Sequence, residues 1–109
     1  MLPLTTDAQV TAVNGRIAFS VCEYNSTVGD TTCDIWTMNP DGSDPVELVA
    51  SGDDPSWSPD GGKVVYEQSG AIYVVDVATG ISTNLTATHP AGARQDPEFL
   101  PSGQIVYIE

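Results

Sequence analysis

The chain has 109 residues, with 15 Asp and Glu against 3 Lys and Arg and a formal net charge of -12. That length allows one small domain, and 40% hydrophobic with 17% charged residues argues for a folded chain rather than a disordered acidic tail. A pI near 4.1 excludes nucleic acid and an anionic membrane surface, which both need a basic footprint, and no apolar run approaches the roughly 18 to 20 residues of a membrane span.

Residues 1–14 read as an N-terminal segment or a divergent strand, with AQVTAV at 8–13 as the strand or linker. The opening MLPLTTDAQV has no basic n-region and no apolar h-region, so no intact signal peptide is expected. From residue 15 onward, short runs of Val, Ile, Tyr and Thr are punctuated by Gly and Pro, a pattern of many short strands. Strands are predicted at 16–23, 33–39 and 45–49, then at 54–58, 63–68, 71–77 and 81–86, then at 96–100 and 104–109.

The strands repeat. DPSWSPDGGKVVYE at 54–67 returns as DPEFLPSGQIVYIE at 96–109, with Asp54 and Asp96, Trp57 and Phe99, Pro59 and Pro101, and Gly61 and Gly103 each 42 apart. A partial copy, NGRIAF, stands at 14–19, and DIWTMNPDGS at 34–43 matches AIYVVDVATG at 71–80. Four strands, A to D from innermost to outermost, in about 40 to 45 residues is the period of a propeller blade. The fold class is therefore all-β, with antiparallel four-stranded blades, about two and a half in number and not a closed ring. Blade one covers 15–50, blade two 51–87 and a partial blade three 88–109.

The motif formed by Pro55, Trp57, Ser58, Pro59, Asp60, Gly61 and Lys63, with Asp34, Ile35, Met38, Asn39, Asp41, Gly42 and Ser43 in the second element, resembles the TolB-like, WD-repeat-like β-propeller family. The likeness covers 15–109. It departs in blade three, where Phe99 replaces Trp, Leu100 replaces Ser, Ser102 replaces Asp and one residue is missing after Gly103. The motif has a structural explanation: Pro59 presets φ, Asp60 accepts from backbone N–H groups and Gly61 takes a positive φ. Trp57 supplies an apolar plate where blades meet. Asp34, Trp36, Asp41, Gly42, Trp57, Pro59, Asp60, Gly61, Phe99, Pro101 and Gly103 are assigned to this structural repeat.

Gln68-Ser69-Gly70-Ala71 closes a two-residue hairpin loop, which sets Tyr66 opposite Tyr73. The same register in blade one sets Phe19 opposite Trp36 and Cys22 opposite Cys33, as a non-hydrogen-bonded pair with closely spaced side chains. A disulfide between Cys22 and Cys33, closing the tip 23–32, is therefore predicted, and with it a periplasmic or secreted protein. The pattern Asn-x-Ser/Thr occurs at Asn25 and Asn84, and in a bacterial chain, which the family resemblance implies, such matches arise by chance.

Alternating strands gather the regular turns on one face and the irregular loops on the other. Recognition sits on irregular loops of a rigid scaffold, so the candidate binding face is Tyr24, Asn25, Asp30, Asp53, Asp54, His89, Arg94 and Asp96. Asp54 and Asp96 precede equivalent innermost strands. They either cap backbone N–H groups, the preferred reading, or begin a carboxylate ring able to hold Ca²⁺. No metal site and no cofactor other than that calcium alternative is assigned, and NPDGSD at 39–44 reads as a turn.

No G-x-S-x-G, H-E-x-x-H, P-loop or dinucleotide fingerprint occurs, so a non-enzyme is expected. The leading function is a non-catalytic propeller module that binds a protein partner in an exported or envelope protein, with no nucleic acid and no membrane insertion. The alternatives are an accessory propeller of a secreted serine peptidase whose catalytic domain lies elsewhere, or a glycan- or calcium-binding surface module. An open array leaves apolar blade faces for self-association, with Trp57, Trp36 and Tyr73 among the lining residues. One such arrangement is a trimer in which 96–100 completes the next copy's first blade.

Overall fold

The computed structural model describes residues 4–8 as backbone alone, and residues 15–87 and 95–108. Among these residues there is no helix. The strands are β1 (Leu4–Ala8), β2 (Ile17–Asn25), β3 (Asp30–Met38), β4 (Val46–Val49), β5 (Asp53–Trp57), β6 (Lys63–Gln68), β7 (Ala71–Asp76), β8 (Ser82–Asn84), β9 (Gln95–Phe99) and β10 (Ile105–Ile108). They form two four-stranded antiparallel sheets, β1-β2-β3-β4 and β5-β6-β7-β8, and a two-stranded sheet of β9 and β10.

Register follows the turns. Ser69 and Gly70 have φ of 52° and 78°, the two positive values a tight primed hairpin turn requires. The ladder from Gln68↔Ala71 then sets Tyr66 opposite Tyr73. In blade one the same geometry pairs Phe19 with Trp36 and Cys22 with Cys33. The A–B turn of blade two is held by Asp60, whose Oδ1 accepts from the Ser58 hydroxyl at 2.7 Å and the Gly62 N–H at 2.9 Å, while Gly61 has φ 73°. In blade three Ser102 stands at the aspartate's position and Gly103 has φ 88°.

Two elements differ from their expected limits. The first strand of blade one is β1 at Leu4–Ala8, paired from Leu4↔Glu23 to Ala8↔Phe19, and residues 9–13 of the expected strand lie outside the described residues. Within this chain β1 occupies the edge of β2 that strand 96–100 of another copy would take in the trimer. Strand D of blade two shrinks from 81–86 to Ser82–Asn84 because side chains take over its end. There the Thr86 hydroxyl accepts from the Ile72 N–H at 3.2 Å, and Asn84 Oδ1 accepts from the Thr86 N–H at 2.9 Å.

The core lies between the blades. Ala18 and Ile35 on one face of blade one meet Trp57, Val64, Tyr66 and Val75 on one face of blade two, with Leu48, Val49, Tyr73 and Val77 packed around them. Trp57 is only 8% exposed, so it and Tyr73 belong to this interface and not to an open face. Trp36 alternates to the opposite side of blade one with Phe19. On the other side of blade two, the Phe99 N–H of β9 donates to the Ser56 hydroxyl at 3.2 Å, docking blade three.

Candidate interaction face

The hairpin β2–β3 is more regular than its sequence implies. Beyond the disulfide the ladder continues through Glu23↔Thr32, Tyr24↔Thr31 and Asn25↔Asp30, leaving only residues 26–29 as a turn. Asn25 organises that turn: its Oδ1 accepts from the Thr27 N–H at 2.9 Å and its carbonyl from the Gly29 N–H at 2.8 Å. Cys22 and Cys33 are bonded, with Cα atoms 4.0 Å apart. Alternation puts this disulfide on the side of the hairpin that faces blade two, where the Gly52 N–H donates to the Cys33 carbonyl at 2.8 Å. A disulfide persists in an oxidising compartment, which points away from the cytosol.

At the foot of the hairpin lies a groove of about 420 Å³. Asp30, Thr31, Thr32 and Cys33 form one wall, and Ser51, Gly52, Asp53, Glu67, Gln68 and Ser69 form the rest. The connection 51–52 is pinned by Asp34, whose Oδ1 accepts from the Ser51 N–H at 3.0 Å. Carboxylate oxygens of Asp53, Asp54 and Glu67 come within 4.8 Å of one another. Like charges so close raise the cost of ionising any one of them.

That cost falls on Asp54. Its carboxyl is pushed up to about 6, first by burial, then by the charges of Asp53 and Asp96. Asp54 and Asp96 are equivalent in another way, for both hold a left-handed backbone, φ 53° and 52°, immediately before a buried proline. Asp tolerates this region better than most residues. The two side chains hydrogen-bond to each other, and the Asp96 backbone N–H donates to Asp54.

Of the candidate residues, Tyr24, Asn25 and Asp30 are exposed on the hairpin, Asp30 and Asp53 share the groove, and Asp54 and Asp96 meet beside it. His89 and Arg94 lie outside the described residues. Sequence reasoning missed Glu67. The A–B register, Trp57↔Val64 and Ser56↔Val65, carries Glu67 to a position opposite Asp54, and a bulge then sets it against Asp53. It also missed Arg16, which ties β2 to the opposite end of the sheet through Thr37, Asn39 and Asp44, the last at 3.1 Å.

The chain matches no protein-family model and no curated protein sequence. Among solved structures it is similar to an acylaminoacyl peptidase of Pyrococcus horikoshii, with a TM-score of 0.74 and 15% identity, covering 93% of this chain and 16% of that one. It is also similar to the β-propeller domain of the Trilobed protease from Pyrococcus furiosus, described as having an open velcro topology. There the TM-score is 0.71 with 16% identity, covering 95% of this chain and 32% of that one. The fold is that of β-propeller blades. The chain spans about a third or less of the length of these proteins, with two four-stranded sheets and one two-stranded sheet.

Proposed function

We propose that the chain is a non-catalytic β-propeller module that binds a protein partner, in a periplasmic or secreted protein of TolB-like type. The observation that carries this reading is the disulfide-clamped hairpin, which extends its ladder past Cys22↔Cys33 to Asn25↔Asp30 and presents its tip to solvent. An ordered projection of that kind loses little entropy when a partner docks. The disulfide supports export.

A second reading has its own support, because one similar solved structure is an acylaminoacyl peptidase and another is the β-propeller domain of a protease. On that reading this module is an accessory domain and the catalytic domain lies outside these residues. A fluorophosphonate probe and photo-crosslinking address both. The binding reading expects no labelling of the chain by the probe, and crosslinks to envelope proteins from a photoreactive residue at position 26 or 28 but not at 78 or 102. Labelling of a serine, or crosslinks only from 78 and 102, would contradict it.

A further inference from the structure

Resting on the protein-binding reading above, we propose that the tip of the β2–β3 hairpin is the docking surface and that its partner presents an apolar pocket rimmed by Lys and Arg. The tip carries apolar area that the fold does not use: Tyr24 is 45% and Val28 70% exposed. Val28 occupies a four-residue turn of the kind that favours Asn, Asp and Gly, and the turn's geometry already comes from Asn25 and from Gly29, at φ 69°. An aromatic and an aliphatic side chain on a clamped projection have the composition of an interface centre.

Charge selects the partner. Glu23 and Asp30 flank the apolar pair, and Asp53 and Glu67 stand in the groove at the hairpin's foot. The described cations lie elsewhere: Arg16 is bound to Asp44 at the far end of the blade, and Lys63 begins β6 just after the A–B turn of blade two. A second copy of this chain would bring the same net charge of -12 to the contact. A basic rim around an apolar pocket matches both the sign and the shape.

The test uses the whole oxidised chain, isotope-labelled, titrated with short synthetic peptides that combine Leu and Phe with Lys, with Ser or with Glu, at about 150 mM salt. The Lys peptide is expected to bind and to shift amides of 23–32, 51–53 and 67–69. The double variant Tyr24→Ser, Val28→Ser, whose spectrum outside the tip shows that it folds, should weaken binding on the order of tenfold. The variant Asp41→Asn, Asp44→Asn, which removes charge at the far end, should leave binding within about twofold. Equal loss in both variants, or shifts spread over the whole acidic surface, would mean diffuse attraction and would overturn the proposal. Preference for the Ser or Glu peptide at the tip would overturn the partner's chemistry. Absence of peptide binding at the tip would overturn the docking surface. None of these results decides the protein-binding reading, which stands or falls on the crosslinking pattern.

Discussion

At the scale of single residues, Gly52 shows how closely the blades approach. A Cβ there would lie 2.8 Å from Tyr66 Cδ2 and 2.9 Å from Ile35 Cδ1, inside the inter-blade core. Gly52→Ala is therefore expected to cost about 1–3 kcal/mol, read as a lower denaturant midpoint at unchanged slope. Asp54 makes a second prediction. The folded chain binds its proton more tightly than the unfolded chain, with the carboxyl at about 6 against an ordinary 3.8. That stabilisation is full below pH 3.8 and is lost as the pH rises through about 6. Discounted for the group's partial exposure, it is on the order of 1 kcal/mol. Asp41 and Asp60 sit below the ordinary range, held there by Ser43 and by Ser58, so they stay ionised between pH 5 and 8 and do not confuse that window. Melting at pH 5 and pH 8 should differ in the wild type in favour of pH 5, and Asp54→Asn should narrow the difference. An unchanged difference would move the effect to another group.

At the scale of elements, the register was the most legible feature. A two-residue loop at Ser69-Gly70 fixes blade two, the repeat transfers the count to blade one, and Cys22 falls opposite Cys33. Strand β1 was not legible, because LTTDA has neither the repeat motif nor a turn to tie it down, whereas AQVTAV has the composition of a strand. The length of the hairpin was hidden for a related reason: polar and turn-forming residues at 23–32 look irregular, and the continued ladder with the Asn25 turn overrides local propensity. The aspartate pair was legible as positions but not as a contact, since the meeting of Asp54 and Asp96 depends on how blade three docks. Replacing both cysteines by serine should leave the β2–β3 ladder folded and lower stability by about 2–3 kcal/mol, through the freedom returned to the unfolded chain. A melting temperature unchanged from the oxidised wild type would contradict a clamping role.

At the scale of the whole molecule, each blade offers two faces and the shared core uses one from each. Blade one alone would expose Ala18 and Ile35, and blade two alone would expose Trp57, Val64 and Tyr66. Repeat units of this kind take much of their stability from the interface with a neighbour. The loop face exists as a surface only because that interface holds the hairpin, the Gly52 connection and the start of β5 in one frame. The most direct test is native-state amide exchange on the oxidised chain. The blades should open together, with amides of β2, β3, β5, β6 and β7 sharing one protection level set by global unfolding. Separate levels, with blade one exchanging while blade two stays protected, would contradict a single scaffold and leave the hairpin without the rigid base that the binding reading requires.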